Sequence, residues 1–119
     1  MEKQLELDQK KEIKEKINSF MNFWKEENYS SAYSRTALTF RSRHDVNDLK
    51  TIIGFKVNTS IPQGIFFITP CVADCHVLVT THASKFKLRI RLMKELAPFV
   101  PSEAGEWLIS PQSIKRIKS

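Results

Sequence analysis

The chain has 119 residues, a formal net charge of +6, 41% hydrophobic residues and 27% charged residues. That length suits one domain, residues 1–119, around one hydrophobic core, and the composition is globular rather than disordered. Two cysteines and three glycines are too few for a disulfide framework or a Gly-rich phosphate loop, and no apolar run approaches the ~18 residues that cross a bilayer.

Residues 2–27 read as one long helix. Ile13, Ile17, Phe20 and Trp24 recur at i, i+4, i+7 and i+11, Phe23 widens the stripe, and Lys and Glu cover the other side. The first eight residues are patterned weakly and are expected to fray or project. Residues 1–16 are charged throughout, with no signal-peptide apolar region, so the chain as given reads as cytoplasmic. Asn28 is the expected C-terminal cap. Residues 30–37 predict a short second helix with Ser30 as N-cap, and LTFRS then breaks the pattern. Ser42-x-x-Asp45 resembles a capping box ahead of a third helix with Val46, Leu49 and Ile53 on one face and Gly54 as its C-cap.

After Gly54 the period changes from helical to alternating. FKVNTSIPQG alternates weakly, and GIFFIT is a short apolar strand stopped by Pro70. Residues 74–83 form a Val- and Thr-rich strand. Residues 85–92 alternate without a break, with Phe86, Leu88, Ile90 and Leu92 on one face and Lys85, Lys87, Arg89 and Arg91 on the other. A tight turn at 83–85 joins these two strands into a hairpin. LAPFVPSEAG is a long connection, GEWLIS the last strand with Pro111 near its end, and residues 114–119 a loosely held basic tail. The fold class is α+β, helices first and an antiparallel sheet second.

FMNFWKEENYSSAYSRTALTF resembles the opening of the nuclear transport factor 2-like superfamily, an aromatic-rich first helix followed by a short "-Y--AY-" helix. Phe20, Phe23, Trp24, Tyr29, Ala32 and Tyr33 carry the likeness, and GEWLIS resembles the closing strand. The resemblance implies a strongly curved sheet wrapped round the helices as a cone (the cystatin-like α+β roll), with a pocket between them. It also implies pairing of two copies through the open sheet face, and a small hydrophobic ligand as one class of occupant. The superfamily holds isomerases, dehydratases, cyclases, transport receptors and subunits of bacterial secretion and conjugation machinery, so fold alone does not give function.

Four groups of residues bear on chemistry. Lys85, Lys87, Arg89 and Arg91 project about 6.6–6.8 Å apart, a row able to meet an acidic partner or phosphates. No aromatic residues for base stacking interleave with it. The chain's positive excess lies in the same half: residues 1–27 hold six Lys and seven Asp/Glu, net −1, and residues 28–119 hold 13 Lys/Arg and six Asp/Glu, net +7. Cys71, Cys75, His76 and His82 have irregular spacing, and consecutive strand residues such as Cys75 and His76 point to opposite faces. They read as core thiols and surface or pocket histidines, with no metal and no cofactor implied. Tyr29, Tyr33, Asp74 and His76 are the pocket candidates for moving a proton. His44, Asp45 and Asp48 sit at a helix start, where capping accounts for Asp45.

The preferred function is therefore a non-enzymatic binding or assembly domain, acting as a homodimer or on a protein partner through the sheet face, within a larger bacterial assembly of secretion or conjugation type. A small pocket enzyme of isomerase, dehydratase or cyclase type is one alternative. Nucleic-acid binding through the basic face is the other.

Overall fold

The computed structural model describes residues 2–117, with side chains from residue 4 onward. Helix α1 runs Glu2–Lys25. Its apolar stripe is buried as the spacing predicts, with Met21 joining Ile13, Ile17, Phe20 and Trp24, while Leu5 and Leu7 in the first two turns stay exposed. The helix ends on Glu27, which takes a left-handed φ of 59°. Asn28 N–H reaches back to Phe23 O and Glu27 N–H to Trp24 O, the bond pair that closes a helix on a left-handed residue. Asn28 is thus not the C-cap. Its carboxamide accepts from Ser31 N–H and starts α2, Tyr29–Tyr33, in place of the expected Ser30.

Two more short helices follow, α3 at Leu38–Arg43 and α4 at Val46–Ile52. The LTFRS segment that reads as a break is therefore helical. Its N-cap, Ala37, has no capping side chain. The orphan Thr39 N–H at its first turn is satisfied instead by buried Glu95, 56 residues on, whose carboxylate also accepts the Thr39 hydroxyl. The capping box of α4 lies three residues later than expected. Asp45 accepts from Asp48 N–H at 3.0 Å and Asp48 from Asp45 N–H at 3.2 Å, while the Ser42 hydroxyl turns back to Thr39 O. Gly54 is not a left-handed cap. A Cβ there would lie 2.8 Å from Lys50 O, so close approach is what favours glycine.

The strands are β1 Thr59–Thr69, β2 Val72–Thr80, β3 Lys85–Ala97, β4 Val100–Pro101 and β5 Glu106–Ile117, in one antiparallel five-stranded sheet. Residues 87–89 and 91–93 of β3 pair with both β2 and β5, so β3 is central and β1 forms an edge. β1 begins well before GIFFIT. It runs through Pro62, which an edge strand tolerates because one side makes no ladder bonds. The turn between β2 and β3 is the four-residue loop 81–84 rather than a tight turn at 83–85. β3 extends five residues past Leu92. β5 passes through Pro111 because a bulge absorbs it: Arg89 pairs with Lys115 but Arg91 with Ser110. The Ser113 hydroxyl holds this bulge, accepting from Arg91 N–H and donating to Ser110 O. Residues 114–117 of the expected tail thus belong to β5. Met1, Lys118 and Ser119, the remainder of the two expected loose ends, lie outside the described residues.

One face of the sheet packs on the helices. Ala73, Cys75, Val77 and Val79 of β2, Leu88, Ile90 and Leu92 of β3, and Trp107 and Ile109 of β5 are buried with the α1 stripe. Each large side chain so buried contributes about 1.5–3 kcal/mol. Both indoles keep a partner for N–H: Trp24 donates to Phe55 O at 2.9 Å and Trp107 to Gln9 Oε1 at 3.2 Å. The outer edge of β5 is covered at Ile109, where Ala37 N–H donates to Ile109 O and Ile109 N–H to Arg35 O.

Candidate binding face

Strand alternation puts every second residue of β2 and β3 on the face away from the core. Across that face Asp74 stands opposite Arg91, His76 opposite Arg89, Leu78 opposite Lys87 and Thr80 opposite Lys85. Two groups that the sequence offers separately, the basic row and the Asp74–His76 pair, therefore meet on one surface. The meeting neutralises one member only. Asp74, buried, accepts from Arg91 Nε at 2.8 Å and from its Nη2 at 3.2 Å, a bidentate pair. The hydrogen bond that Arg91 donates to Asp74 raises the Arg91 pKa further.

The remaining cations have no such partner. Arg89 donates from Nη2 to Ser113 O at 3.3 Å, while its buried Nε has no hydrogen-bond partner among the described residues. Its other cross-strand neighbour is Lys115, a like charge directly opposite, which costs stability. Lys87 lies between Leu78 and Ile117, and Lys85 is exposed beside Thr80. None of Lys85, Lys87, Arg89 and Lys115 is in a salt bridge among the described residues. On this side of β2 and β3 the acids are Asp74, held by Arg91, and Glu95, buried against α3.

Beside the cations lies an apolar strip on β1. Ile61, Phe66 and Ile68 are 56%, 51% and 56% exposed. The Phe66 ring sits 4.8 Å from the His76 ring, which extends the strip onto β2. Over its 11 residues β1 carries no charged side chain.

Tyr29 and Tyr33 are elsewhere, packed against the core from α2. The Tyr33 hydroxyl donates to His44 O at 2.6 Å, with Arg41 O at 3.2 Å, and Lys50 lies over the Tyr29 ring. They tie helices together and share no site with Asp74 and His76. His44 stacks on Phe40 and bridges Asp48 and Gln112. Cys75 points into the core, where burial pushes its thiol up to about 12. His76 points outward and His82 lies in the 81–84 loop, and no three His, Cys, Asp or Glu among the described residues converge on a metal position.

Lys115, the Ser113 bulge and the apolar strip are parts of this face that the sequence reading did not reach. The bulge decides which residues of β5 oppose Arg89, and only the pairing reveals it. No helix among the described residues is long and apolar enough to cross a membrane. Comparison of the chain with protein families, curated proteins and solved structures finds no match.

Proposed function

We propose that the chain is a non-enzymatic binding domain of nuclear transport factor 2-like type, which docks an acidic, partly apolar segment of a protein partner on the outer face of its sheet. The observation that carries this reading is the group Lys85, Lys87, Arg89 and Lys115, without a salt-bridge partner among the described residues, beside exposed Ile61, Phe66 and Ile68. Complementary charge on a partner removes the Arg89–Lys115 repulsion, and the apolar strip supplies the area that non-specific electrostatics lack. The alternation of Glu and apolar residues in an extended segment matches a sheet that presents both. Asp74 and His76 support binding over catalysis, since they lie on this open face with Asp74 engaged by Arg91. A docking face also suits the larger bacterial assembly that the sequence resemblance implies.

A homodimer through β1 is the second reading, favoured by the uncharged 11-residue edge. Pairing across the whole face would set the cationic group of one copy against that of the other. Light scattering on the free protein separates the two, since partner docking predicts a monomer and the β1 reading a dimer.

The test of docking uses a labelled synthetic peptide of alternating Glu and Leu, read by fluorescence anisotropy. The peptide is expected to bind, to weaken as salt rises, and to lose at least about tenfold in affinity (~1.4 kcal/mol) in the Lys87→Glu/Arg89→Glu variant. Binding indifferent to that reversal contradicts the reading. Tighter binding of an oligo-dT strand than of the peptide replaces it with the nucleic-acid reading.

A further inference from the structure

The core side of the same strand carries a second feature. At the end of the sheet where the 81–84 loop meets the connection between α4 and β1, a cavity of about 460 Å³ opens. That volume lies within the range of small-molecule sites, roughly 300–1,000 Å³. Ile52, Phe86, Leu88 and Ile114 form an apolar lining, with Phe55 as one wall. Phe55 is fixed in place by its edge-on packing against Trp24, 5.1 Å between ring centres, and by Phe86 at 6.0 Å.

The charged groups lining the cavity among the described residues, Lys56 and Arg116, are both cations. Thr81 and His82 complete its polar lining, and no Asp or Glu among the described residues lines it. The Arg116 guanidinium lies 4.4 Å from the centre of the Phe86 ring, at the boundary between the apolar lining and the cationic rim. Lys56 is only loosely engaged, 3.9 Å from Glu27, with both side chains more than half exposed. The loop is held by its own hydrogen bonds: Thr81 N–H donates to Ser84 O at 2.8 Å, and Thr81 Oγ1 accepts from the N–H groups of Ala83 and Ser84.

We infer that this cavity binds a small amphipathic carboxylate, with its apolar body against Phe86, Leu88 and Ile114 and its carboxylate between Arg116 and Lys56. An apolar lining selects no head group, whereas a rim of cations without an acid favours an anion over a neutral or cationic head. Arg116 can offer two parallel N–H groups to a carboxylate. The inference is independent of the docking reading, because it uses Phe86 and Leu88 whereas docking uses Lys87 and Arg89.

Trp24 provides the readout, since it touches Phe55 at the cavity wall. The probes are decanoate, decanol and decyltrimethylammonium, titrated against the full chain by tryptophan fluorescence and calorimetry below their self-association concentrations. Decanoate is expected to bind one to one, about tenfold or more tighter than decanol, with the cation weakest. Arg116→Gln is expected to bring decanoate down to the level of decanol while leaving decanol unchanged, and Ile114→Trp, which fills the cavity, to abolish both. A thermal melt of each variant confirms that it is folded, and Lys56→Gln gives a second, exposed-site variant expected to weaken decanoate alone. Equal affinity for decanoate and decanol, or decanoate binding that survives Ile114→Trp in folded protein, overturns the proposal. Displacement of decanoate by the Glu–Leu peptide also overturns it, by assigning the cavity to the peptide.

Discussion

The two faces of β3 differ in how their side chains are satisfied. On the core side Leu88, Ile90 and Leu92 are buried among apolar neighbours from two other strands and α1. On the outer side Arg91 is paired with Asp74, but Lys85, Lys87 and Arg89, with Lys115 of β5, have no carboxylate partner among the described residues, and Arg89 faces a like charge. The core side is arranged for stability. The outer side spends some stability on an arrangement that a partner completes, and local conflict of this kind is expected at functional sites.

The largest effect should come from breaking the core side. Ile90→Ala is expected to destabilise the protein by about 2–5 kcal/mol in urea melts, whereas Arg89→Ala should stay within about 0.5 kcal/mol and weaken the Glu–Leu peptide. Equal losses would erase the contrast between the faces. Next in size is Asp74→Asn, which leaves Arg91 without its bidentate carboxylate. It should cost about 1–3 kcal/mol by the same measurement, marking the Asp74–Arg91 pair as structural.

Lys115→Glu sharpens the comparison most. It turns a like-charged cross-strand pair into an opposite one, so stability should rise by about 0.2–1 kcal/mol while the Glu–Leu peptide binds more weakly. A gain in both stability and binding would contradict the account. The smallest effect concerns pH. The hydrogen bond from Lys16 holds the Glu106 carboxyl below its usual range. Because the folded pKa is the lower one, this contribution is present above the unfolded value of about 4.3 and is lost as pH falls through the folded value. For so exposed a pair it should stay under about 1 kcal/mol. Glu106→Gln should flatten the acid limb of stability against pH by that amount and leave peptide binding unchanged.

The parts of the fold that were legible in the sequence are those set by local period: the α1 stripe, the alternation of residues 85–92, and the change from helices to strands after Gly54. The rest depends on distant partners. Helix α3 reads as a break because its missing cap comes from Glu95. β5 reads as ending near Pro111 because the Ser113 bulge that accommodates the proline is held by β3. Asn28 reads as the end of the first helix, but Glu27 ends it by taking the left-handed conformation, which leaves Asn28 to cap the start of α2. At the candidate site the basic row was legible residue by residue. The engagement of Arg91 and the opposition of Arg89 and Lys115 required the register, and the cavity required two loops to meet.

The most direct test is an amide chemical-shift titration of the protein with the Glu–Leu peptide at low and moderate salt. The account predicts shifts centred on Ile61, Phe66, Leu78, Lys87, Arg89 and Lys115, diminishing as salt rises. Shifts confined to the loop end around Phe55, His82 and Arg116, or shifts that salt leaves unchanged, would contradict it.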